Sequence, residues 1–207
     1  KRAKEKKKII ISSRENYNFN LFLKQKKFFL INKKENKIKN IFNCKNPRDS
    51  LAEFFYLISN LYAGENEYKL SNFYLKLSLF LNKKFLFNKA LLAENYYFQK
   101  KYNKSMKEYI SLKPAGNVYS WHASKNIASI LGDKKGKEHA VKQLKKDFNS
   151  IKNLNHEHYY DLANFYKENE YYEESIKYYS LAIEDVKKNH FLVPKILDRR
   201  GSSYERI

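Results

Sequence analysis

The sequence predicts an all-α fold assembled from repeated helix–turn–helix units, and three observations predict it. First, the 207 residues include only five glycines and three prolines. Long helices joined by short polar turns suit so few punctuators. Second, the stretch YYDLANFYKENEYYEESIKYYSLAI, Tyr159–Ile183, holds seven tyrosines in 25 residues, with Ala163, Ser175 and Ala182 set among them. Third, that arrangement recurs along the chain at a spacing of about 35 residues.

Within Tyr159–Ile183 the pattern resolves into two helices around the polar turn KENEYYEE. Tyr159, Leu162, Ala163 and Tyr166 fall at i, i+3, i+4 and i+7, one stripe of an amphipathic helix. Ser175, Tyr179 and Ala182 form the matching stripe on the second. A small residue lets another helix approach, and the tyrosine or leucine beside it fills the space around the contact.

Each repeat is placed in turn by that rule. One period back, Ile127, Ala128 and Leu131 precede Ala140 and Leu144. Two periods back, Leu92, Ala93 and Tyr96 precede Ser105, Tyr109 and Leu112. Three back, Phe55, Ile58, Ser59 and Tyr62 precede Ser71, Leu75 and Ser78. Forward, Leu197, Gly201 and Tyr204 open a further helix. Nine diagnostic slots (Ser59, Ala93, Ala128, Ala163 and Gly201; Ser71, Ser105, Ala140 and Ser175) all hold Gly, Ala or Ser, types that total 32 of 207 residues. Tyr68, Tyr102 and Tyr172 recur just before the second helices.

This spacing and slot chemistry resembles the tetratricopeptide repeat (TPR) family in bacterial-type tandem array. The resemblance covers residues 52–207, in units of about 52–85, 86–119, 121–154 and 156–189 and a partial unit 194–207. It implies a right-handed α-solenoid of stacked repeats. Lys89, Ser124 and Asp147 depart from the pattern, and the third unit carries LGDKKGKEH at its turn. The expected organisation is therefore a basic segment, residues 1–50, ahead of an array over 51–207 whose first helix is capped at Asp49-Ser50.

Charge divides along the same line. Residues 1–50 hold 16 Lys/Arg against 4 Asp/Glu, and residues 51–207 hold 26 against 18. The front segment joins KRAKEKKK to the mixed apolar and basic run FLKQKKFFLINKKENKIKNIFN. Lysines interleaved with phenylalanines could pair phosphates and stack bases, which makes nucleic acid or an anionic membrane the alternative partner. The excess of lysine (36) over arginine (6) also fits compositional bias. The single Cys44 excludes an internal disulfide framework. No run of 18 apolar residues is present, so no spanning helix is expected. A cytoplasmic location is favoured, although a chain that starts at Lys1 could have an upstream leader.

No phosphate loop, zinc-protease motif or nucleophile elbow occurs. His156 and His158, the one close histidine pair, diverge at i and i+2, and no metal or cofactor is expected. What remains is a surface. The resemblance implies a non-enzymatic scaffold whose first helices line a groove for a protein or peptide segment, although the array could also be the helper region of a longer enzyme or assembly factor. The groove positions are Asn60; Phe87, Leu91, Glu94, Tyr97 and Phe98; Lys125 and Asn126; Asn164; and Arg199. Phe87, Leu91, Tyr97 and Phe98 are expected to form an exposed apolar seat, with Lys125 and Asn126 as a polar rung beside it. The family's carboxylate clamp fits only in part, at Lys125, Lys195 and Arg199, because Ser129 and Asp161 stand where asparagines belong.

Overall fold

A computed structural model describes residues 42, 43 and 45–207. Most of the basic segment lies outside the described residues, and with it the nucleic-acid and membrane reading. The described secondary structure is helical: α1 (Pro47–Gly64), α2 (Tyr68–Leu81), α3 (Leu86–Phe98), α4 (Tyr102–Leu112), a 3-10 turn (Lys113–Ala115), α5 (Asn117–Lys135), α6 (Lys137–Asn149), α7 (His156–Glu168), α8 (Tyr172–Asp185) and α9 (Val193–Tyr204). They form two compact units, one up to residue 127 and one over 128–207, with the division inside α5.

The first helix starts ahead of the expected cap. Asn46 is the N-cap, in extended conformation, and its side chain accepts from the Arg48 N–H at 3.1 Å. Pro47 follows at the position where a missing N–H costs nothing. Asp49 is not a cap but a buried tether: its carboxylate accepts from the Asn43 N–H at 2.8 Å and the Asn82 amide at 2.9 Å. The described chain therefore joins the first unit from Phe42 onward.

Three hairpin turns close in the same way. Asn66, Lys100 and Glu170 take φ of 62°, 57° and 68°. The next N–H, from Glu67, Lys101 or Tyr171, donates five residues back to Tyr62, Tyr96 or Tyr166 at 2.8, 2.8 and 2.9 Å. This is the Schellman closure, which caps the orphan carbonyls of a helix end. The α5–α6 turn instead uses Gly136, at φ 92°. Here the sequence expectation needs correction, because α5 runs through the LGDKK part of the expected turn. Gly132 fits inside that helix because a Cβ there would lie 3.3 Å from the Ala140 Cβ.

In the first unit, α1 packs on α2, α2 on α3 and α3 on α4. Its core joins Ala52, Tyr56, Leu75, Phe85, Phe87, Leu91 and Leu92, with Phe42, Leu79, Leu81 and Tyr96 packed against them. The small slots Ser59, Ala93, Ser71 and Ser105 are fully buried. Polar seams cross the helix contacts: Ser78 Oγ donates to the Ala52 carbonyl at 2.5 Å, the Asn88 amide donates to Ser78 Oγ at 2.5 Å, and the Asn95 amide reaches Ser71 Oγ at 2.7 Å and Asn72 Oδ1 at 2.9 Å.

In the second unit, α6 packs on α7, α7 on α8 and α8 on α9. Leu144, Leu162, Ala163, Tyr179, Ala182 and Ile196 are buried. Tyr166 stacks on Tyr178 at 5.5 Å and 2° between planes. The equivalent pair in the first hairpin, Tyr62 on Tyr74, stacks at 5.5 Å and 1°. The tyrosine rhythm is therefore a packing device, each stacked pair adding about 0.5–1.5 kcal/mol beyond its buried area.

Candidate functional site

The first helices of the first unit, α1, α3 and α5, carry most of the expected groove residues. Phe87 and Leu91 do not line an open seat. Both are buried, and Phe87 meets Tyr56 edge to face at 4.6 Å and stacks near Phe85 at 5.0 Å. The physical reason is that α1 presents Tyr56 and the α2–α3 turn presents Phe85, two large rings whose closure leaves no room for solvent. Asn60 is also buried, and its amide donates to the Tyr56 carbonyl at 2.7 Å. It secures its own helix and does not face a ligand.

The rest of that set is accessible in part. Phe98 is 53% exposed and stacks on Tyr68 at 5.6 Å. Tyr97 is half-buried, edge-on to Phe98 and near Tyr102. Leu57, one residue beyond Tyr56, is 50% exposed. On α5, Lys125 and Asn126 are half-buried, and the Asn126 amide donates to the His122 carbonyl at 2.8 Å.

Electrostatics on this face centre on two phenols. Tyr56 and Tyr119 are each buried, and neither hydroxyl has a hydrogen-bond partner. Burial pushes the Tyr56 phenol well above its ordinary value, against a smaller pull from Asn60, with the Glu94 carboxylate adding to the rise. The Tyr119 phenol rises by burial and by its proximity to Tyr56. Loss of water also raises the Glu53 carboxyl. Tyr119 was not foreseen as part of this face, because it precedes the helical stripe the repeat spacing marked out.

In the second unit the structure brings Asn164 and Arg199 together. Asn164 Oδ1 accepts from Arg199 at 3.0 Å and from the Tyr179 hydroxyl at 2.7 Å. Lys167 donates to Ser202 Oγ and, at 3.3 Å, to the Arg199 carbonyl. Burial lifts the Tyr179 phenol to about 12, although Arg199 draws it down. The asparagine amide oxygen is thus taken up internally.

The histidine pair splits as its spacing requires. His156 faces Asp185, with Nδ1 3.4 Å from the carboxylate, and packs edge-on to His190 at 4.9 Å. His158 Nδ1 lies 2.6 Å from the capping Asn155 Oδ1. Among the described residues no group of three or more His, Cys, Asp or Glu side chains could hold a metal ion. No helix among them is long and apolar enough to cross a membrane.

No family model matches the chain, and no protein of curated function matches it in sequence. Sixteen solved chains match its structure. One of them, the crystal structure of YrrB, described as a TPR protein with an unusual peptide-binding site, is similar to this chain at 14% sequence identity and a TM-score of 0.43, with 78% of this chain and 79% of that one covered.

Proposed function

We propose that the protein is a non-enzymatic scaffold that holds a protein or peptide segment against the first-helix face of its first unit. The carrying observation is the surplus of exposed apolar side chains there. Leu57 and Phe98 are half exposed and Tyr97 lies edge-on to Phe98, on helices whose buried side contributes Tyr56, Phe87 and Leu91 to the core. Apolar groups flanked by Glu94, Lys125 and Asn126 suit a segment with both aliphatic and polar contacts. Aromatic anchors of this kind tend to dominate binding energy. Residues 1–50 are proposed as a separate functional element.

A display library of random peptides tests this reading. Enriched peptides should bind the full chain, and the double substitution Tyr97→Ala with Lys125→Ala should weaken them at least tenfold at unchanged helical content. Failure to enrich any peptide, or equal binding by the double variant, counts against the scaffold reading.

A further inference from the structure

We infer that the protein associates with a second copy of itself through the outer side of its first hairpin, α1 of each protomer lying antiparallel on α2 of its partner. The first observation is the pattern of that side. Leu51, Phe54, Ile58 and Leu61 on α1 fall at i, i+3, i+7 and i+10, and Leu70, Phe73, Leu77 and Phe80 repeat the spacing on α2. Such a stripe is the seam that one helix offers another. Neither stripe is spent inside the first unit. Contact between α1 and α2 runs through Tyr74, which stacks on Tyr62 at 5.5 Å and on Phe55 at 6.0 Å. Tyr56, Ser71 and Asn72 are turned towards α3, where they meet Phe87 and Asn95. Leu51, Phe54, Leu61, Leu70 and Phe73 are left 44–63% exposed, and Phe80 is 80% exposed.

The second observation is extent. With a large side chain taken at about 200 Å², these exposed residues leave on the order of 600 Å² of apolar surface in water. That is at the top of what a monomer usually shows in one patch, about 300–600 Å². With its polar rim, the side approaches the roughly 800 Å² per partner of a stable interface.

The third observation decides the occupant. Beyond its first turn α1 carries one charged residue, Glu53, and α2 carries two, Lys69 and Lys76. All three are exposed. Ser78 on α2 donates to the Ala52 carbonyl on α1, so Glu53 and Lys76 stand at nearly the same height of the antiparallel pair. At about 100° per residue, each lies on the flank turned away from the other helix. A two-fold axis parallel to the hairpin lays α1 on the partner's α2 and sets Glu53 of each protomer beside Lys76 of the other. The same register brings Leu51 to Phe80, Phe54 to Leu77, Ile58 to Phe73 and Leu61 to Leu70. The side is thus complementary to itself, as an isologous dimer requires. An axis at right angles would set α2 on α2, with lysines facing lysines.

This surface shares no residue with the face named in the proposed function, and its test is separate. Sedimentation equilibrium of the full chain over a wide concentration range should show a reversible monomer–dimer equilibrium. Phe54→Asp together with Phe73→Asp should weaken it about tenfold or more, at unchanged helical content because both side chains are exposed. Glu53→Lys or Lys76→Glu alone should each weaken it about fivefold, since a two-fold interface repeats every like-charge contact. The two reversals together should restore the parent affinity. A chain that stays monomeric throughout overturns the inference, whether another protein or residues 1–41 cover this side. So does a dimer indifferent to the two aspartates. A dimer whose charge reversals do not rescue one another overturns the placement of α1 on α2. Selected peptides could still bind in any of these cases, so the two readings fail independently.

Discussion

Ser175 Oγ donates to Ser203 Oγ at 2.9 Å, joining α8 to α9 at the repeat position where the Asn95 amide joins α3 to Ser71 on α2 at 2.7 Å. The same seam is thus closed by a hydroxyl in one unit and an amide in the other. Both second-helix partners are serines, and all four side chains are buried.

Asn95→Ala should lower stability by about 2–3 kcal/mol, because it leaves the Asn72 oxygen without its donor and opens a small cavity. Urea unfolding checks this; a loss under about 0.5 kcal/mol would show that the seam contributes little.

Equivalent slots should respond with opposite signs. Ala163 is fully buried, so Ala163→Leu overpacks the helix contact and should cost about 1–3 kcal/mol. A Cβ added at Gly201 meets nothing within 4 Å, so Gly201→Ala should gain about 0.5–1 kcal/mol from reduced backbone freedom in the unfolded chain. Thermal melts of the two variants should shift in opposite directions.

Lys100 holds a left-handed turn position at φ 57°, strained for a residue with a Cβ. Lys100→Gly removes that strain at the entropic cost of glycine and should leave a net gain of up to about 1 kcal/mol. Destabilisation in a chevron or melting comparison would mean that the lysine side chain supports the turn.

Alkaline pH should unfold the protein through its buried phenols. The folded pKa of Tyr179 is raised to about 12, and those of Tyr56 and Tyr119 are raised too. Stability is therefore fully present below the unfolded tyrosine value of about 10 and falls as pH rises towards the folded values. Phenolate absorbance and circular dichroism should change together above pH ~10; buried phenols that ionise with the helices intact would contradict this.

Much of this was legible because close packing leaves a size signature. Ala93, Ala128, Ala163, Ser59, Ser71, Ser105, Ala140 and Ser175 are all buried at their marked slots, where only a small side chain fits. Gly201 keeps the phase but is exposed. The groove was harder to read. Burial of Phe87 and Leu91 depends on Tyr56 and Phe85 closing over them, a tertiary fact that helical spacing does not encode. The buried Asn88 and Asn95 were hidden among 23 asparagines, most of which carry no such signal. In α1 the same positions hold Phe54 and Leu61, both more than half exposed.

The amide and hydroxyl seams also set how the protein meets temperature. Unfolding exposes Asn72, Asn82, Asn88, Asn95, Ser78 and Ser203 along with the aromatic core. Apolar exposure raises the heat capacity by about 0.45 cal/K/mol/Å², whereas polar exposure lowers it by about 0.26. With polar groups at contacts usually given to leucine and valine, the increment per residue should lie below the usual 12–15 cal/mol/K. The stability curve is then shallow and wide, with cold denaturation pushed to lower temperature. Scanning calorimetry over a range of pH measures the increment directly, and a value at or above the usual range would mean that the seams are too sparse to shape the curve.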